Sequence, residues 1–225
     1  MRVVIFGASG MIGQGVLREC LRASDVEQVV TIVRKPGSAK APKLLERVHL
    51  DLLDYRTLEP DLSGLDACYF CLGISSAGLN EAEYTRFTYD IALAAGRTLV
   101  RLNPQMTFIL VSGQGTDSTE QGSIMWARVK GRTENTLRAL PFKAFYAFRP
   151  GFIQPLHGAR SGTRAYRILY GILAPVMPLL RALAPNHVLT TEVIGQAMLN
   201  ITRHGAPQPI LGAREINAAA DNFTT

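Results

Sequence analysis

Through the first 150 residues the apolar positions switch repeatedly between short continuous runs and helical spacing. Residues 2-RVVIF-6 are a short apolar run ended by glycine, which predicts a strand. Ile12, Val16, Leu17 and Leu21 then recur at helical spacing and predict a helix over 11–23. Residues 29-VVTIV-33 are suited throughout to a strand buried on both faces. Val48 and Leu50 mark a short third strand, and 66–71 a fourth. A long helix is predicted from about 80 to 102, with Phe87, Ile91, Ala95, Thr98 and Leu102 on one face. Residues 107-TFILVS-112 give a fifth strand, and 123–139 a helix stopped by Pro141. Residues 144-AFYAF-148 give a sixth strand, ending in Arg149, Pro150 and Gly151.

Alternation of this kind means parallel strands joined by right-handed helical crossovers, and hence an α/β doubly wound sheet of the Rossmann type. The C-terminal ends of the strands then share one rim, where ligands bind. After Gly151 the pattern changes. Residues 160–184 read as one or two helices broken by prolines. Thr190 is placed to cap a helix running to about 203, and Glu192 in its first turn suits the helix dipole. A short strand at 208–212 follows. The expectation is one Rossmann domain over 1–225 with a small C-terminal helical cap, in which 151–187 covers the substrate.

Composition narrows the class. The 225 residues are 47% hydrophobic and 19% charged, as in an ordinary globular chain. The net charge of +6 is dispersed along the sequence, so no nucleic-acid partner is expected. A phosphate-bearing cofactor would account for part of the excess. Cys20, Cys68 and Cys71 are an odd set with no disulfide framework. Cys68 and Cys71 fall three apart in an apolar strand, so they point to opposite faces and read as core, with no metal site implied. No charged-then-apolar leader opens the chain, and 168-ILYGILAPVMPLL-180 is too short and too rich in proline to span a bilayer. A reducing cytoplasm fits these features. Ile168, Leu169, Ile172, Leu173, Leu179 and Leu180 read as a face packed on the sheet, with a greasy ligand pocket or a homo-oligomer contact as open alternatives. Arg160, Arg164 and Arg167, beside Tyr166 and Tyr170, form a solvated cationic face or a site for an anionic substrate, acidic partner or lipid surface.

The most specific motif is 7-GASGMIG-13. It follows a strand and opens a helix, the context that gives a glycine motif meaning. Gly7 allows the tight turn, Gly10 lets the backbone approach a pyrophosphate, and Gly13 lets the helix pack closely on the sheet. Ser9, Met11 and Ile12 complete the turn at a helix N-terminus, which carries free N–H groups and partial positive charge.

The spacing is GxxGxxG, and with the strand and helix order it resembles the short-chain dehydrogenase/reductase superfamily in its extended and atypical branches. The resemblance runs from residue 2 to about 203. It implies a Rossmann fold and a nicotinamide dinucleotide. An NAD site would place an acidic side chain at the end of the second strand. Here 33-VRKP-36 offers Arg34 and Lys35, which suit a 2′-phosphate, so NADP(H) is preferred and NAD(H) is the alternative. By the resemblance, Asp51 and Leu52 border the adenine, although Asp51 alone reads equally well as a helix cap. Gly73 lets the backbone pass beside the cofactor ribose, with Ser75 and Ser76 as nearby donors. Pro150 and Gly151 form the turn that approaches the nicotinamide carboxamide.

The superfamily's catalytic set is a serine after the fifth strand and Tyr-x-x-x-Lys on the next helix. This chain matches it at Ser112 and Lys130, and departs from it at Trp126. Trp126 and Lys130 share a helix face, but an indole is a donor that does not titrate usefully, so it cannot serve as general acid. Lys130 remains suited to ribose hydroxyls, and Trp126 to a wall of the substrate pocket or to the apolar stripe of Val129, Thr133 and Leu137. Substitutes for the missing acid are Tyr84, Tyr89, Thr116, Asp117, Ser118 and the rim residue His157, which also counts as a pocket residue. Three functions follow as expectations. One is an oxidoreductase moving hydride to or from a small carbonyl or alcohol. Another is a non-catalytic NADP(H)-binding regulator or redox sensor. The third is a sugar-nucleotide epimerase or dehydratase, whose relatives ordinarily have a larger substrate domain and the tyrosine.

Overall fold

The computed structural model describes residues 1–37, 39–159 and 188–221. The cationic cluster Arg160, Arg164 and Arg167, the apolar run 168–180 and most of the expected covering segment 151–187 lie outside the described residues.

Seven parallel strands form the main sheet. They are β1 (Arg2–Phe6), β2 (Gln28–Val33), β3 (Leu44–Val48), β4 (Ala67–Phe70), β5 (Thr107–Val111), β6 (Ala144–Arg149) and β9 (Ile210–Gly212), in the order β3-β2-β1-β4-β5-β6-β9. Strand order reverses direction at β1, so the crevice between β1 and β4 is the topological switch point where α/β sheets bind ligands. A second, two-stranded parallel pair joins β7 (Phe152–Gln154) to β8 (Val188–Thr190).

Two apolar layers hold the helices on. Alternate side chains of each central strand face opposite sides, so Val3, Ile5, Tyr69 and Ile109 pack one way, and Val4, Phe6, Phe70 and Phe108 the other. On the first side lie α1 (Met11–Arg22), α6 (Thr191–His204) and α7 (Ala213–Asp221), through Val16, Cys20, Ile194, Met198 and Ile216. On the second lie α2 (Glu59–Leu62), α4 (Ile91–Leu102) and α5 (Met125–Arg138), through Leu62, Leu99 and Leu137. Cys68 and Cys71 fall on opposite sides of this sheet, with Cys68 in one core and Cys71 against the other.

Several sequence expectations shift. The third strand ends at Val48, and Leu50 is 76% exposed beyond it. The long helix is divided into α3 (Glu81–Thr85), a π-helical turn over Arg86–Asp90, and α4. A π turn adds a residue and rotates what precedes it out of register. Phe87 is therefore exposed, while Ile91 and Ala95 are buried. Thr190 caps α6 as expected, its hydroxyl accepting from Val193 N–H at 3.0 Å.

Candidate functional site

The switch point is lined by the glycine turn. Gly7 has φ +77°, and a Cβ there would lie 2.7 Å from Leu72 N on the neighbouring strand's extension. A Cβ on Gly13 would lie 2.1 Å from Gly7 O, so only glycine lets α1 start this close to β1. Gly10 N–H donates to Gly7 O at 2.9 Å and closes the turn. Gly10 is also the N-cap of α1; no side chain caps the helix, and its first turn carries no acid. The free N–H groups and the dipole are thus left for a ligand.

A cleft of about 550 Å³ opens over this turn. Gly7, Ser9, Gly10, Met11 and Ile12 form its floor. Arg34 and Leu52 stand at one end, Gly73 and Ser75 along one wall, and Ser112, Lys130 and Gly151 at the other end. Residues from β2, β5, α5 and the segments that follow β1, β4 and β6 thus meet although they are far apart in sequence. A second lobe of about 850 Å³ shares Ser9, Val33 and Arg34 with the first and adds Gln14, Thr31, Lys35 and Glu46. Thr31 Oγ is buried there without a partner, an orphaned polar atom in the wall. Arg34 and Lys35 are exposed, and among the described residues neither forms an ion pair. Both oxygens of Glu46, the one carboxylate among the residues lining the two lobes, accept from Gly37 N–H, at 3.0 and 3.1 Å.

At the Ser112 end, β5 and β6 are tied by Ser112 N–H donating to Phe148 O and Gln114 N–H donating to Pro150 O. Ser112 Oγ lies 3.0 Å from Thr116 Oγ, whose own hydroxyl donates to Gly113 O at 2.8 Å. The loop after β5 then crosses α5 at Gly131, where a Cβ would lie 1.7 Å from Asp117 O. That crossing fixes α5, and with it Lys130, against the end of β5. One turn beyond Lys130, buried Glu134 accepts from Arg149 of β6. Burial holds the Lys130 ammonium below the ordinary lysine pKa, with the Glu134 charge pulling the other way. Burial also pushes the Cys71 thiol, in the cleft wall, up to about 12.

Some expected residues stand elsewhere. Gly13 acts through packing and does not line the cleft. Asp51 Oδ1 accepts from Leu53 N–H at 3.0 Å in a local turn, and Asp51 is not among the lining residues. Pro150 contributes through its carbonyl. The far edge of the Trp126 ring lies over Gly115, 3.3 Å from where a Cβ would stand, and Trp126 does not line the cleft. His157 is displaced too. With φ +54° it turns away and its Nε2 lies 2.6 Å from Glu192 Oε2, in a small groove beside Arg18 and Glu19. Ile32, Val33, Cys71, Leu72, Ile74 and Val111 also line the cleft. Their signal in the sequence was only that they end parallel strands or follow them directly.

Glycine cradle, open helix N-terminus and switch-point cleft together define a dinucleotide-binding protein with a Rossmann fold. The chain belongs to the NAD(P)H-binding family, whose profile matches residues 7–152. It is 26% identical over 199 residues to Protein HTATIP2 of Rattus norvegicus, covering 83% of this chain and 81% of that protein. It is 29% identical over 215 residues to the mitochondrial protein fmp52-1 of Aspergillus terreus, covering 88% and 85%. Among solved structures, the Bordetella bronchiseptica enzyme WbmF in complex with NAD+ matches with a TM-score of 0.67 at 12% identity, over 98% of this chain and 76% of that one. A short-chain dehydrogenase/reductase family oxidoreductase from Burkholderia thailandensis matches with a TM-score of 0.66 at 16% identity, over 97% and 92%. The fold is therefore that of the short-chain dehydrogenase/reductase and epimerase/dehydratase group. Among the described residues no helix is long and apolar enough to cross a membrane.

Proposed function

We propose that this chain binds NADP(H) and moves hydride to or from a small carbonyl or alcohol. The observation that carries the reading is the meeting of Ser112 and Lys130 with the open α1 N-terminus in one cleft. The α1 turn would hold the pyrophosphate. Arg34 and Lys35, which form no ion pair among the described residues and lie beside the Thr31 hydroxyl, would take the 2′-phosphate. Lys130 would bind the nicotinamide ribose and Ser112 the substrate oxygen. When bound, the nicotinamide supplies the hydride chemistry; the chain binds, orients and manages the proton.

A panel of small aldehydes and ketones, followed through loss of NADPH absorbance, tests this reading. Turnover of one member that is lost in Ser112→Ala supports it. Tight NADPH binding with no turnover across the panel supports the second reading, a non-catalytic NADP(H)-dependent regulator. That alternative is favoured by Trp126, which stands at the position of the superfamily's tyrosine and turns its ring onto Gly115.

A further inference from the structure

Reduction of a carbonyl needs a proton as well as a hydride, and most acids near this cleft are engaged. Tyr84 is buried. Tyr89 Oη accepts from Thr136, and the Tyr89 ring lies under the Arg132 guanidinium. Asp117 accepts from Thr119 and Gly122, and Ser118 Oγ accepts from Arg149. His157 is held by Glu192 outside the cleft. Thr116 spends its hydrogen on Gly113 O, which leaves the Ser112 hydrogen directed to Thr116 Oγ. Lys130 differs from all of these. It lines the cleft with Ser112 and Gly151, and among the described residues no hydrogen bond or ion pair holds its ammonium. The Glu134 carboxylate, one turn along the same helix, is occupied by Arg149.

We propose that Lys130 is the proton donor of this site, giving a proton from Nζ to the carbonyl oxygen of the substrate and taking it back in the alcohol direction. The proposal rests on the hydride-transfer reading above. The bound nicotinamide would supply the hydride of the new C–H bond, leaving the carbonyl π pair on oxygen. One N–H bond of Lys130 breaks, its electron pair stays on nitrogen, and the proton forms the O–H bond. The neutral amine regains a proton from water through the cleft mouth. Ser112 Oγ, whose hydrogen faces Thr116, is left with lone pairs to accept from the alcohol so formed.

Burial supports this role because it makes the ammonium a better acid than an exposed lysine. The charged group that acts on it is Glu134 on α5, which Arg149 of β6 holds, while Arg34 stands at the far end of the cleft and Cys71, after β4, lines its wall. Glu134 and Arg149 largely offset one another, and the Cys71 thiol stays neutral below about 12. A tryptophan in place of tyrosine is consistent with a chain whose lysine no longer has a phenol to serve.

Two measurements test the proposal together. Reductive methylation with 13C-formaldehyde labels Lys35, Lys40, Lys43, Lys130 and Lys143, with Lys130 assigned by its loss in Lys130→Arg. The Lys130 signal is expected to titrate below the ordinary lysine value of about 10.4, because burial disfavours its charged form. Titration at or above that value would overturn the proposal. In parallel, NADPH binding and reduction of 4-nitrobenzaldehyde are compared in wild type and Lys130→Arg, a variant that keeps the cation and its donors but is no acid below pH 12. The expected result, measured at saturating NADPH for each protein, is a rate lowered about 100-fold with the alkaline limb of the pH profile abolished. An unchanged rate and profile would overturn the proton role and leave hydride transfer standing. No turnover of this aldehyde or of the wider panel, with NADPH bound, would remove the hydride reading and this proposal with it.

Discussion

Arg149 and Glu134 form a two-pronged ion pair across β6 and α5, with Nη2 2.6 Å and Nε 3.1 and 3.2 Å from the carboxylate oxygens. Arg149 also donates to Ser118 Oγ at 2.5 Å. One guanidinium thus joins the loop after β5, the helix carrying Lys130 and the strand leading to Gly151. The carboxylate side chain is 3% exposed, so removing its charge leaves Arg149 facing an incomplete partner. Glu134→Gln is expected to cost about 3 kcal/mol of unfolding free energy. Urea unfolding measures it, and a loss under about 1 kcal/mol would mean that the pair behaves as a solvated one.

The glycine cradle makes a separate prediction. A Cβ at position 13 would meet Gly7 O at 2.1 Å and push α1 away from β1. Gly13→Ala is expected to weaken NADPH binding at least about tenfold, a loss near 1.4 kcal/mol, while circular dichroism still shows the α/β fold. Unchanged affinity would show that the α1 N-terminus does not contact the cofactor.

How much of this was legible in the sequence follows from what each feature depends on. Strands buried on both faces are continuous apolar runs, so β1, β2, β5 and β6 stood out, and the glycine turn came with them. Ser112 and Lys130, singled out by the resemblance to the superfamily pattern, both line the cleft. Phe87 was misplaced because a π turn leaves no mark in apolar spacing. Leu50 was misplaced because one apolar residue past a strand end resembles a strand residue. The β7–β8 pair is too short for a periodic signal. The helix Ala213–Asp221, which buries Ile216 and Ala220, was missed as well; its apolar stripe is carried mostly by alanines. Trp126 and His157 were placed by sequence position, but their side chains are directed by local contacts, over Gly115 and toward Glu192.

Arg34 bears on cofactor choice. Charge-assisted hydrogen bonds contribute about 1.5–3 kcal/mol, so Arg34→Ala is expected to weaken NADPH about 10- to 100-fold. NADH, which lacks the 2′-phosphate, should change by no more than about threefold. Equal losses for both would place Arg34 on the adenine or its ribose and remove the basis for preferring NADP(H).

The half-buried lysine has a stability consequence of definite sign. Its folded pKa lies below the unfolded value, so between the two the unfolded chain binds more protons. The burden on the cofactor-free fold is complete below the folded pKa and is relieved as pH rises from there toward about 10.4. Lys130→Met should therefore raise the melting temperature of the cofactor-free protein at pH 7, and the gain over wild type should shrink as pH rises through that window. A lower melting temperature for the variant would mean that the ammonium is well solvated.

We propose that the cleft over the glycine turn holds NADP(H). The chain's single tryptophan, Trp126, is carried on α5 together with Lys130, so energy transfer from its indole to a bound reduced nicotinamide reports occupancy directly. Titrating the protein with NADPH and with NADH is the most direct measurement. Saturable quenching by both, with NADPH at least about tenfold tighter, is the predicted result. Saturable binding of neither cofactor would contradict the account.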